Sequence, residues 1–145
     1  MTVNERQDEV ISEFEEMGAD GMQKYEYLIN LGHQLPAFGD KHMTEENKIK
    51  GCQSSVWLHS YVEDERIFFQ VESDSAIIKG IAGLLIKVFS GAPPVDVANA
   101  ELYFIEEVGL QKHLSPTRSN GLQAMVREMK LRAEDYVTRA TKSRE

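Results

Sequence analysis

Between Ile77 and Phe89 the chain is so apolar that the rest of any fold must be arranged to cover it. Ile77, Ile78, Ile81, Leu84, Leu85 and Val88 recur at helical spacing and make a broad stripe, which predicts a central core helix. Ser73, Asp74 and Ser75 stand before it as candidate caps. Ser90-Gly91 closes it, and Pro93-Pro94 forbids continuation because proline cannot donate to the helical ladder. Lys79 and Lys87 interrupt the run, and it is too short to cross a hydrocarbon layer of about 30 Å, so no membrane segment is expected.

The segments that would cover this helix are legible from their periods. Val10, Ile11, Phe14 and Met17 predict a first helix that stops at Gly18. Asp20 caps a second in which Met22, Tyr25, Leu28 and Ile29 share a face, ended by Gly32 and Pro36. Thr44 begins one capped turn. Val56, Leu58 and Val62 alternate with Trp57, His59 and Tyr61, then Ile67, Phe69 and Val71 repeat the two-residue period after the turn Glu63-Asp64-Glu65, which predicts an antiparallel hairpin. A short strand around Ile49 would extend it. Short helical pieces are expected near Val95 to Ala98 and Leu102 to Val108. Ser115 caps a last helix that starts at Pro116 and buries Leu122, Met125, Val126, Met129, Ala133, Tyr136, Val137 and Ala140, before the charged tail Lys142 to Glu145 frays. The expectation is one domain over residues 1–145, a small antiparallel sheet of about three strands covered by helices, since a lone hairpin is marginal in water.

Charge and cysteine usage narrow the function. With 24 acidic residues against 16 basic ones the chain repels polyanions, so nucleic acid is not an expected partner. The cluster Glu13, Glu15 and Glu16 reads as a solvated helix face. Cys52 is the only cysteine, so no intramolecular disulfide can form. Met1 to Arg6 lacks the apolar core of a secretory signal, and a cytoplasmic location is expected. His33, His42, His59 and His113 form no metal-ligand pair at helical spacing, and one thiolate cannot build an iron-sulfur site. A Cys-His hydrolase with His59 or His113 as base is a competing reading, but no oxyanion-hole motif accompanies it. No glycine-rich phosphate loop is found, and no cofactor is expected.

By default a lone cysteine is a small buried hydrophobe. Here Cys52 sits in a connection, between Gly51 and the polar Gln53-Ser54-Ser55, with Lys48 and Lys50 close in sequence. Neighbouring ammonium groups would favour the thiolate, the form that attacks another sulfur. The glycine permits a tight loop.

Four strings carry a resemblance. Leu31-Gly32-His33-Gln34-Leu35-Pro36, Gly51-Cys52-Gln53-Ser54-Ser55-Val56-Trp57-Leu58, Ser73-Asp74-Ser75-Ala76-Ile77-Ile78-Lys79-Gly80 and Leu114-Ser115-Pro116-Thr117-Arg118-Ser119-Asn120-Gly121-Leu122 resemble the SufE family in order and spacing. The match runs from about Asp20 to Ala133. Ser75 stands where alanine is usual and Pro93 where threonine is common. The resemblance implies an α+β fold like that of SufE and NifU-type proteins. It implies a sulfur acceptor and carrier, not itself a desulfurase, that binds a pyridoxal-phosphate-dependent cysteine desulfurase, takes its persulfide sulfur onto Cys52 and stimulates it. Delivery would be to an iron-sulfur cluster scaffold complex, and the protein would be a monomer or homodimer. The alternative is a regulatory module that binds the desulfurase without accepting sulfur. Gln53, Ser54 and Arg118 lie in the matching strings as supporting residues. Arg118 would hold the loop or balance persulfide charge, or else form a surface salt bridge at the start of the last helix. Asp74 reads as a helix cap and Trp57 as a sheet residue.

Overall fold

The computed structural model describes residues 1–18 and 20–144, with side chains throughout except at Gln111, His113 and 141–144. Among the described residues the order is α1 (Val3–Met17), α2 (Gly21–His33), β1 (Val56–Glu63), β2 (Arg66–Ser73), α3 (Ala76–Phe89), α4 (Pro94–Ala98), α5 (Tyr103–Glu107) and α6 (Pro116–Arg144). A 3-10 turn at Asp40–His42 precedes the loop that holds Cys52, and a second, Leu110–His113, precedes α6.

As its composition demands, α3 lies at the centre. Ten of its 14 residues are buried, so burial runs almost all round the helix and not along a single stripe. Ser75 is the residue that caps it, accepting from the Ile78 amide at 3.3 Å. The helix is packed by α2, β2, α6 and α1. Contact with α2 is backbone on backbone. A Cβ at Gly80 would stand 2.2 Å from the Leu28 carbonyl oxygen, and one at Gly32 would stand 2.9 Å from the Gly80 nitrogen.

α1 begins at Val3, ahead of the apolar spacing that opens at Val10. A capping box starts it: Glu5 N–H donates to Thr2 Oγ1 at 3.1 Å, and Thr2 N–H to Glu5 Oε1 at 3.0 Å. Gln7 occupies a core position in this first half and hides the periodicity. Its Nε2 donates to Glu101 O at 3.0 Å and its Oε1 accepts from Phe104 N at 3.2 Å, which fixes the entry to α5. Glu15 and Glu16 are exposed as expected, but Glu13 is not simply solvated. Lys87 Nζ donates to its two oxygens at 2.7 and 2.9 Å and the Tyr27 hydroxyl donates to one of them, joining α1, α2 and α3. Burial works to raise the Glu13 carboxyl, but the hydrogen bonds from Lys87 and Tyr27 outweigh it and hold the group below the ordinary carboxylate range.

β1 and β2 form the expected hairpin, with Val56 opposite Ser73 and Glu63 opposite Arg66. Its two-residue turn places Asp64 and Glu65 at φ of 53° and 63°, the left-handed pair that matches strand twist. Val56, Leu58, Ile67, Phe69 and Val71 are buried against the helices, whereas Val62, near the tip, is 39% exposed. The sheet has two strands, not three. Around Ile49 the expected third strand is reduced to one bridge, Lys48 to Trp57, with Ile49 N–H donating to Val56 O and Leu58 N–H to Asn47 O, both at 2.8 Å. Beyond that point α6 takes the acceptors a third strand would need: Arg132 donates to Leu58 O at 2.7 Å and Tyr136 to Ser60 O at 3.1 Å. The other edge is closed by the exit of α3, where Ile67 N–H donates to Ala92 O at 2.9 Å and Gly91 N–H to Ile67 O at 2.7 Å. Both edges are thus blunted against pairing with another chain.

Ser115 caps α6, accepting from the Arg118 amide at 3.3 Å. Leu122, Met125, Met129 and Ala133 are buried as expected, and Ala140 is exposed. The helix runs to Arg144, and Glu145 lies outside the described residues.

The α2–α3 crossing generates a stability prediction. Gly80→Ala should cost about 2–3 kcal/mol, because the added methyl meets main chain that can only yield by moving the helices apart. Gly21, with open space where its Cβ would be, is the control. Gly21→Ala should be neutral or stabilising by up to about 1 kcal/mol. Urea unfolding of the two variants checks this, and equal midpoints would contradict it.

Candidate functional site

Cys52 lies in a loop whose two ends are fixed. At its base the Lys48–Trp57 bridge closes residues 49–56 into a compact turn. On its exit side Ser55 N–H donates to Asp74 Oδ1 at 3.1 Å, and Asp74 N–H donates to Ser55 O at 3.3 Å. Asp74 is therefore not the cap of α3, a role that Ser75 fills; it is a tether between the cysteine loop and the start of that helix. Gly51 adopts a φ of +92°, a conformation that side-chain-bearing residues avoid, and this turns the chain into Cys52.

Three of the four strings singled out in the sequence meet here. Cys52, Gln53 and Ser54 line a cleft of about 370 Å³ with Asp74 and Ile78 from the start of α3, and with Arg118 from the first turn of α6. The fourth string, from Leu31 to Pro36, does not reach the cleft. It contains Gly32, which seats α2 on α3.

The thiol is half-buried and packs against the core. Its Sγ lies 3.8 Å from the Gly121 carbonyl oxygen, a long contact for an S–H donor. A Cβ on Gly121 would stand in ordinary contact with that sulfur at 3.7 Å but only 3.2 Å from Ile78 Cδ1, so a side chain there would crowd the start of α3. Burial pushes the Cys52 thiol above its ordinary value, and the positive charge of Arg127 opposes the rise without cancelling it. The sequence expectation of a thiolate favoured by Lys48 and Lys50 is thus corrected. Lys48 sits over the Trp57 ring, 5.8 Å from its centroid, and Lys50 is exposed. Arg127 was not legible as part of the site, because only the fold of α6 brings it to the loop.

Gln53 is exposed at the rim of the cleft and Ser54 is half-buried within it. Arg118 is exposed, and among the described residues no carboxylate pairs with it, so the salt bridge considered for it is not formed. It lines this cleft and also a smaller apolar pocket bounded by Phe14, Tyr25, Leu28 and Leu110. Trp57 is a sheet residue, half-buried on the outer face. His59 is not at the thiol; it stacks on His42 with ring centroids 3.6 Å apart and faces a separate cleft bounded by Glu128 and Arg132. The side chain of His113 lies outside the described residues. Among the described residues no group of three or more His, Cys, Asp or Glu side chains is arranged to hold a metal ion, and no helix is long and apolar enough to cross a membrane.

Comparison with known proteins places this geometry. Residues 8–133 match the profile of the SufE family, described as an Fe-S metabolism associated domain. A SufE-like protein of Rhizobium meliloti strain 1021 is 35% identical over 132 residues, covering 88% of this chain and 94% of that protein. SufE-like protein 1 of Arabidopsis thaliana, named as chloroplastic/mitochondrial, is 39% identical over 111 residues; the match covers 76% of this chain but 30% of the plant protein. The solution structure of a hypothetical protein from Thermus thermophilus superposes with a TM-score of 0.77 at 19% identity, covering 92% of this chain and 96% of that one. This last likeness speaks to the α+β fold alone.

The buried thiol predicts a pH profile. Because the folded state holds the Cys52 proton more tightly than the unfolded chain does, the associated stability is complete below the unfolded pKa and is lost as pH rises through the folded one. Iodoacetamide should therefore alkylate native Cys52 more slowly at pH 7 than the urea-unfolded protein, with a midpoint displaced to higher pH. Equal midpoints in the two states would contradict the burial effect.

Proposed function

The chain belongs to the SufE family, whose domain is associated with Fe-S metabolism, and on that premise we propose that it is a sulfur acceptor and carrier with Cys52 as the accepting atom. The observation that carries the reading is the meeting of three separated strings at one sulfur: the cysteine loop, the start of α3 and the first turns of α6 enclose the only thiol the chain has. The donor is a pyridoxal-phosphate-dependent cysteine desulfurase and the recipient an iron-sulfur scaffold complex. This chain then needs no cofactor of its own. A reducing compartment, the cytoplasm on the sequence reading, keeps the thiol available.

The transfer is an exchange between sulfurs. Cys52 Sγ, as thiolate, attacks the terminal sulfur of the donor persulfide. A new S–S bond forms on Cys52 as the donor's S–S bond breaks, and the donor cysteine leaves as a thiolate that takes up the proton Cys52 gave away. No net oxidation occurs. Removing the product persulfide frees the desulfurase for another cycle, which accounts for stimulation. Gln53 and Ser54 shape the approach to the sulfur, and Arg118 at the rim supplies a charge for the persulfide or for the donor surface.

Binding and transfer should separate, because docking energy is spread over an interface while the nucleophile is one atom. Cys52→Ser should fold and bind the desulfurase within about tenfold of the wild-type affinity, roughly 1.4 kcal/mol, yet neither accept sulfur nor accelerate turnover. Titration calorimetry beside a sulfide-release assay checks this. Full stimulation by the variant would favour a regulatory module that never carries sulfur, and loss of binding would make the thiol part of the docking surface.

A further inference from the structure

A buried thiol that must ionise needs a compensating charge, and α6 offers one. Gly121, Ala124 and Arg127 follow at three-residue steps and turn one ridge of the helix toward the cysteine loop. Gly121 O touches the sulfur, and Ala124 is buried against Gly51, where a Cβ would stand 3.8 Å from that of Ala124. The same Cβ would stand 3.6 Å from Arg127 Nη2. The guanidinium thus lies beside the loop at the residue before the cysteine, where the positive φ of Gly51 turns the chain.

The charge of Arg127 is not spent elsewhere. Among the described residues no carboxylate pairs with it, whereas Arg132 bonds Glu128 and Leu58 O, and Arg139 bonds Asp135. The other charged groups around the loop are placed differently. Asp74 is bonded to the Ser55 amide, Lys48 lies over Trp57, Lys79 pairs with Glu72 at 3.1 Å, Lys50 is exposed, and Arg118 stands at the cleft rim.

We propose that Arg127 is a positioning residue of the carrier site, the cation that holds negative charge on the Cys52 sulfur as it attacks the donor and while it bears the transferred atom. This rests on the reading of Cys52 as carrier. The Gly121 carbonyl oxygen beside the sulfur repels an anion, and a guanidinium two steps along the same ridge of α6 offsets part of that dipole and of the loss of solvent.

The test uses the whole protein and iodoacetamide, without desulfurase, so it decides the role of Arg127 even if Cys52 proves not to accept sulfur. Arg127→Gln should move the alkylation midpoint upward and slow the reaction at neutral pH roughly three- to tenfold. Arg127→Lys should restore most of the rate. Because Arg127 is an exposed residue, salt at about 1 M should slow the wild type in the same direction and leave Arg127→Gln nearly unchanged. An Arg127→Gln profile that overlays the wild type would overturn the proposal. So would a shift in Arg118→Gln with none in Arg127→Gln. With the desulfurase added, single-turnover sulfur acceptance by Arg127→Gln should fall by the same factor as alkylation. Weakened binding with unchanged alkylation would instead make Arg127 a docking residue and overturn the assignment.

Discussion

Where α2 crosses α3 no side chain stands between the two backbones, and the position of the cysteine follows from that contact. Gly80 and Gly32 let the helices meet main chain to main chain, which fixes α3 in the molecule. The start of α3 then carries Ile78 beneath the thiol, and Asp74, one residue before the Ser75 cap, tethers the far end of the cysteine loop. From the other side α6 presents Gly121, whose missing side chain lets the helix lie close to Ile78 and the sulfur. A loop held at both ends and floored by two helices keeps the thiol in place. The packing link of the chain therefore sets the geometry of the site.

Two electrical effects oppose one another at that sulfur. Burial favours the protonated thiol, and the Arg127 charge favours the anion; at rest burial prevails. A protonated, half-covered thiol reacts slowly with stray electrophiles and disulfides, a property that the proposed carrier role calls for. The net charge of −8 adds a longer-range preference for a basic partner surface, one that weakens as salt rises.

Much of this was legible locally. The apolar run of α3, the alternation of β1 and β2, and the caps Asp20 and Ser115 each depend on neighbours in sequence, and each is found where its period or cap placed it. What depended on distant residues was not legible. Gln7 hides the first half of α1 because its polar amide serves main chain near α5. The strand around Ile49 shrinks to a bridge because Arg132 and Tyr136 of α6 occupy the β1 edge. Asp74 looked like a cap because it precedes a helix, yet its partner is Ser55. At the site the single cysteine and its flanking strings were plain in the sequence. The charge acting on it was not, since Lys48 and Lys50 are near in sequence while Arg127 is near only in the fold.

The central claim is that sulfur comes to rest on one atom of this chain. Incubation with a cognate desulfurase and cysteine, followed by intact-mass analysis and peptide mapping, measures it directly. Acceptance by Cys52 predicts a gain of one or more sulfur atoms confined to the peptide that contains Cys52 and removed by a reductant. An unchanged mass while the desulfurase turns over faster would contradict it.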